Sequence, residues 1–181
     1  MKHILLWAVN QGPIKLKLYL ALLSSCLFFF IVPPLFPSWK VFHFVPWLAL
    51  VITYSTFLRS LWSAFVTGLL LDLLSATTFG MHTLNFSIVT AYLFTKRRYF
   101  IKENPYNLSL FTTIYSFTLT LLYTLLFFIF DRRWLVSGKW IVTDLLLFSL
   151  FDGMYAYFGF TLPFSLWESL EKKWKIKYGI K

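Results

Sequence analysis

Three carboxylates in this chain stand where a carboxylate is expensive. Asp72, Asp144 and Asp152 each lie within an apolar run. An acidic side chain at the centre of a lipid-embedded helix costs roughly 2.5–3.5 kcal/mol, so each must face a neighbouring helix, reach an interface or carry a proton. Asp72 is the sharpest case, with Leu69, Leu70 and Leu71 before it and Leu73 and Leu74 after it. Such a group can take hydrogen bonds from another helix, titrate in proton-coupled transport, or join other polar groups around a ligand. Asp72, His82, Asp144 and Tyr155 are the residues available to line a cavity near the outer leaflet. Asp144, near the outer end of its segment, is also placed to reach headgroup water. Catalysis finds little support. There is no His-Glu-x-x-His run, no Gly-x-Ser-x-Gly elbow and no phosphate-cradling glycine loop, and His3, His43 and His82 are widely separated. No catalytic, metal-ligating or cofactor-binding set is read, and no enzyme is expected.

Helical spacing groups the polar positions. Ala64, Gly68, Asp72 and Ser75 fall on one stripe of a helix. Small residues four apart allow close helix approach, so this stripe is read as a packing or partner face. Asp152 and Gly153 belong to a similar side with Ser149, Ala156 and Gly159, and Thr113, Ser116, Thr120 and Thr124 form a hydroxyl stripe. Hydroxyls can satisfy themselves on their own helix, which makes that last stripe weak evidence for a site. Gly80 suits a tight outer turn, with His82 just beyond it. From these positions Asp72 is expected to hydrogen-bond with His82 or the hydroxyl stripe and to form no ion pair. Gly68→Leu is expected to disrupt this face and Gly68→Ala to be mild.

The elements that must hold these residues are membrane helices. Of 181 residues 59% are hydrophobic and only 13% charged, about half the charge of an ordinary soluble domain; the mean hydropathy is +0.70. The expected fold is an all-α polytopic membrane bundle forming one domain. Its six transmembrane spans are read at about 18–36, 41–58, 61–75, 82–95, 108–130 and 140–167, with a basic cytoplasmic tail at 168–181. Pro33 and Pro34 mark the end of the first span, and Arg59–Ser60 are read as a turn between the second and third. The third and fourth are short, as two helices or a partly re-entrant hairpin. A short apolar piece, Ile4 to Val9, precedes the spans at the interface.

The net charge of +10 sits in short stretches between apolar runs, the pattern of anchors beside anionic lipid, and no nucleic-acid face is read. With the N-terminus inside, Lys2, Lys15, Lys17, Arg59, Lys96, Arg97, Arg98, Lys102 and the tail Lys172, Lys173, Lys175, Lys177 and Lys181 are cytoplasmic. Lys40, Arg132, Arg133 and Lys139 are outside. This imbalance favours both termini inside. Cys26 is the single cysteine, so no internal disulfide forms. Leu23-Ser24-Ser25-Cys26 has the look of a lipoprotein cleavage box, but apolar Leu27 to Val32 follow it, which suits a helix interior.

The stretch Gly68-Leu69-Leu70-Leu71-Asp72-Leu73-Leu74-Ser75, followed by Phe79-Gly80-Met81-His82-Thr83-Leu84, resembles the signature region of MreD, the rod shape-determining membrane protein of bacteria. Length, basic lead, apolar segments and basic tail fit the same family. The resemblance implies a non-enzymatic, multi-pass component of the inner membrane within the cell-elongation machinery for peptidoglycan synthesis. Its implied partners are the bilayer, an MreC-like scaffold and, through that scaffold, MreB, RodA and a penicillin-binding transpeptidase. The bundle is also similar to the substrate-binding subunits of energy-coupling-factor importers, so the competing expectation is a small-molecule-binding subunit of a transporter.

Overall fold

The computed structural model describes residues 11–35, 44–75, 78–100, 106–131, 137–166 and 169. Helices account for nearly all of them, and no strand occurs among the described residues. In chain order they are α1 (Gln11–Leu35), α2 (Val45–Tyr54), α3 (Phe57–Leu74), α4 (Met81–Lys96, running into a 3₁₀ turn at Arg97–Tyr99), α5 (Tyr106–Asp131) and α6 (Gly138–Leu166). The piece Ile4–Val9, the tail lysines, and Lys40, Lys102, Arg132 and Arg133 lie outside the described residues.

Among the described residues, three helices are long and apolar enough to cross a membrane: α3, α5 over Tyr106–Phe130, and α6. Their leucines and phenylalanines stay largely outside the bundle, among them Leu70, Leu73, Leu125, Leu146, Leu150 and Phe158. Lipid is the solvent that accepts such a surface. The interior is built around α2, whose Val45, Leu48, Ala49 and Ile52 meet Ala64 of α3. Phe86, Val89 and Leu93 of α4 and Phe111, Tyr115 and Leu119 of α5 complete this core. A smaller cluster of Ala21, Leu50 and Phe160 fastens α1 and α6 to the other side of α2.

The second expected span needs correcting. The helix within 41–58 has 10 residues, a rise of about 15 Å against a hydrocarbon thickness of ~30 Å. Pro46 is accommodated in its first turn, where a missing N–H costs nothing. At the other end Ser55 is extended, with φ −119° and ψ 178°, and its hydroxyl returns to the Val51 carbonyl at 2.6 Å. The chain therefore breaks at Ser55–Thr56, not at Arg59–Ser60. Those two residues belong to the first turn of α3, where the Ser60 hydroxyl lies 3.0 Å from that of Ser55 and donates to the Thr56 carbonyl at 3.1 Å. α3 accordingly starts at Phe57 and is longer than the expected 61–75.

α4, α5 and α6 follow their apolar runs within two residues at either end, whereas α1 begins at Gln11, seven residues ahead of its expected span. α1 ends at Leu35, one residue past the proline pair. α6 continues unbroken through Gly159 and Pro163, but two stretches, Ile141–Leu147 and Tyr157–Thr161, widen to π-helical turns. The second lies just ahead of Pro163, which has no N–H to close an ordinary helical turn.

Arg97 locks one end of this arrangement. Its guanidinium donates to the carbonyls of Ile52 at 2.8 Å and Ser55 at 2.7 Å and packs 3.9 Å over the Phe94 ring. Helix C-termini leave carbonyls without intrahelical donors, and a cation there also complements the helix dipole. Arg97→Gln is expected to lower stability by about 1–3 kcal/mol, the usual cost of unsatisfied buried acceptors. The control is exposed Arg98→Gln. Equal melting temperatures for the two purified variants would contradict this role.

Candidate functional site

The hairpin of α3 and α4 brings the signature residues into one unit. α4 starts after Gly80, which adopts φ +93° and ψ −11°. That left-handed conformation is strained for residues with a Cβ. Glycine at this N-cap position has no side chain with which to satisfy the first backbone donors of the helix. Asp72 supplies that function from the neighbouring helix. Its Oδ1 accepts the His82 N–H at 2.9 Å, and its Oδ2 accepts the Thr83 N–H at 3.0 Å and the Thr83 hydroxyl at 2.6 Å. These N–H groups are the second and third of α4, the pair an N-cap side chain normally serves. Asp72 is only 4% exposed, so its cost in lipid is offset by three donors and by the positive end of a helix dipole.

Gly68, one turn before Asp72, makes this approach geometrically available. A Cβ built on it would stand 2.5 Å from the Thr83 Cα, 2.8 Å from the Thr83 nitrogen and 2.9 Å from the His82 carbonyl oxygen. Gly68 therefore lies directly on the backbone of the first turn of α4. Ala64, a further turn along the stripe, is fully buried in the core beside α2 and α4. Ser75 ends α3, its N–H bonded to the Leu71 carbonyl. Within the chain, the stripe of small residues is thus occupied by α4.

Asp72 takes the backbone of His82 and Thr83, where the residue pattern pointed to the His82 side chain or the hydroxyls of α5. The His82 ring instead stacks on Tyr123 of α5, with centroids 5.2 Å apart and 23° between planes. Of the hydroxyl stripe, Thr113, Thr120 and Thr124 return to carbonyls four residues back on their own helix. Ser116 alone of the four bonds across the bundle, donating to fully buried Asp152. A Cβ on Gly153, next to it, would strike the Thr113 hydroxyl and force that side chain to shift. The Gly153 carbonyl accepts the Ser109 hydroxyl at 2.6 Å. The two aspartate-and-glycine pairs thus serve two different joints, α3 to α4 and α5 to α6. Asp144 is half-buried and accepts the hydroxyl of adjacent Thr143 at 2.9 Å.

Residue patterns missed several polar joints. Asn85 donates to the Leu119 carbonyl at 3.1 Å, and Thr90 and Tyr115 share a hydroxyl–hydroxyl bond of 2.5 Å, both inside the α4–α5 contact. Asn85 sits three residues beyond His82, a spacing that could have flagged it as facing the same neighbour. Among the described residues no group of three or more His, Cys, Asp or Glu side chains is placed to hold a metal ion.

A family model described as rod shape-determining protein MreD matches residues 14–167, most of the chain. The chain belongs to the MreD family. Within the stretch that resembles MreD, Gly68, Asp72, Gly80, His82 and Thr83 build the clasp of α3 on α4, with a glycine for proximity, an aspartate for capping and a second glycine for the turn. Membership of MreD brings a role in rod shape determination, and the apolar helices fit a membrane protein. Comparisons with curated proteins and with solved structures give no match.

Proposed function

We propose that the chain is a non-enzymatic, multi-pass component of the bacterial inner membrane that maintains rod shape within the cell-elongation machinery. In this reading it crosses the bilayer six times with both termini in the cytoplasm, ten-residue α2 making the second crossing from within the bundle core. It assembles with an MreC-like scaffold and, through that, with MreB filaments, RodA and a penicillin-binding transpeptidase. The observation that carries the reading is the match to MreD over 14–167. The geometry of the clasp supports it, since the conspicuous intramembrane acid Asp72 is used to join helices. Charge supports the orientation, as cytoplasmic loops of membrane proteins are rich in Lys and Arg.

Two experiments test this proposal. Single cysteines introduced at Lys102 and in the tail should label only from the cytoplasm, and those at Thr78 and Ser137 only from outside. External labelling at Lys102 would overturn the six-span orientation. Co-purification from native membranes should return a bitopic scaffold of the MreC kind. Recovery of an importer's energising subunits in its place would favour the small-molecule-binding reading.

A further inference from the structure

The α3–α4 hairpin is short for a bilayer, and both of its ends are fixed. α3 has 18 residues and α4 has 16, rises of about 27 Å and 24 Å against a hydrocarbon thickness of ~30 Å. At one end Phe57 packs edge-on against Phe94 at 5.2 Å, next to the Arg97 lock. Arg59, Lys96 and Arg98 are exposed there. At the other end Asp72 clasps the first turn of α4, and Thr78 and Phe79 are exposed in the non-helical stretch that precedes it. Neither end suits hydrocarbon. Cations favour the headgroups, and exposed backbone that is not helical does not occur inside a lipid core.

α5 makes the opposite demand. Its 26 residues rise about 39 Å. The His82 ring stacks on Tyr123, which sets the first turn of α4 level with that residue, and the bond from Asn85 to Leu119 carries the same alignment one turn further in. From Tyr123 α5 continues to Asp131, about 12 Å past the first turn of α4. Leu125, Phe128, Ile129 and Phe130 in this extension are exposed, an apolar surface that calls for acyl chains. One bundle thus asks for hydrocarbon at the end of α5 and for water at the hairpin turn. Tilt relieves a helix that is too long and worsens one that is too short.

We infer that the outward flank of α3–α4 is a lipid-contact surface that holds the bilayer thinner than the membrane around it, the outer leaflet dipping from the end of α5 to the hairpin turn. Its occupant is phospholipid acyl chains. Trp62, Val66, Leu70, Leu84 and Ile88 present the apolar side of the flank to them. A bilayer meets a short span by thinning, so short or disordered chains fill the space with least strain. The Asp72 bonds and the close approach at Gly68 fix the hairpin at its length, and the membrane adjusts to the protein. This surface rests on the reading proposed above, in which α3 and α4 both cross and their turn lies outside.

The test is spin-label depth measurement on the full chain carrying Cys26→Ala, in nanodiscs of dioleoyl phosphatidylcholine and phosphatidylglycerol. Thr78→Cys, Arg98→Cys, Leu70→Cys, Leu110→Cys and Ile129→Cys are labelled one at a time, all at exposed positions. Contact of each label with oxygen, which partitions into lipid, is compared with its contact with a water-soluble nickel chelate. Labels at Thr78 and Arg98 should favour the chelate, and those at Leu70, Leu110 and Ile129 should favour oxygen. A flat membrane around an upright bundle would not keep the end of α5 in lipid while leaving the hairpin turn in water. A tilted bundle in a flat membrane would draw Arg98 into lipid. Thr78 or Arg98 in lipid, or Ile129 in water, overturns the inference. Leu70 closed to oxygen would reveal a protein surface on the flank and overturn it as well. Labelling of the Thr78 cysteine from the cytoplasm would sink the six-span reading and this surface with it. Labelling from outside with a failed depth pattern removes this surface alone.

Discussion

Gly68→Ala should fail to restore rod shape in a shape-defective strain. The added carbon would lie 2.5–2.9 Å from three backbone atoms of Thr83 and His82, none of which can rotate aside as a side chain would. α3 and α4 must separate to admit it, and separation stretches all three bonds from Asp72. Overpacking alone typically costs about 1–3 kcal/mol, and each buried group left without its bond adds about as much again. Several kcal/mol is a large part of the stability of any domain. Gly138→Ala is the control, since a Cβ there meets nothing within 4 Å. Membrane abundance and melting temperature should fall for Gly68→Ala and stay unchanged for Gly138→Ala. Wild-type melting and full complementation by Gly68→Ala would refute the close approach.

Substitutions at Asp72 should rank in three steps. Asp72→Leu removes the acceptor for two N–H groups and a hydroxyl at once, a loss of roughly 3 kcal/mol or more, and should not complement. Asp72→Asn has one acceptor oxygen in place of two. Turned towards Thr83 it keeps both bonds there, but its amide then faces the His82 N–H, donor against donor. One N–H is left unsatisfied, at about 1–3 kcal/mol. Asn should therefore give partial function and an intermediate melting temperature. A proton-coupled transporter makes a different prediction, because Asn carries no titrating proton and should fail as completely as Leu. Complementation at matched membrane abundance separates the two. A folded Asp72→Asn protein with no function would count against the capping role.

Helical periodicity was enough to place Ala64, Gly68 and Asp72 on one face, because angular position depends only on residue count. It carried no information on distance. Periodicity alone therefore admits alanine at Gly68, where the Thr83 backbone leaves no space for it. Charge alone places the break between α2 and α3 at Arg59. Thr53, Ser55 and Thr56 were the better signal, for Ser55 ends α2 by bonding its own helix. Arg97 is half-buried and serves α2, while its charge alone suggested a headgroup anchor. That role depends on residues 45 apart in sequence meeting in space, which no local pattern records. Asp152 was legible as an interior group from the cost of its charge. Its partner Ser116, 36 residues away, stood out from Thr113, Thr120 and Thr124 only once the helices were docked.

The short reach of the Asp72 bonds has a consequence for biogenesis. Asp72 and its donors are 10 and 11 residues apart, so the α3–α4 hairpin can close soon after residue 83 leaves the ribosome, with little loop-closure entropy to overcome. Neither helix then needs to wait in lipid with an unpaired acid or an uncapped end. The links from Asn85 to Leu119 and from Ser116 to Asp152 span 34 and 36 residues and form only after later segments have been synthesised. Ten-residue α2 is too short to be held in the bilayer by its own length. Its retention therefore rests on its neighbours: α1 before it, through Ala21 against Leu50, and the hairpin after it, through the grip of Arg97 on its last turn.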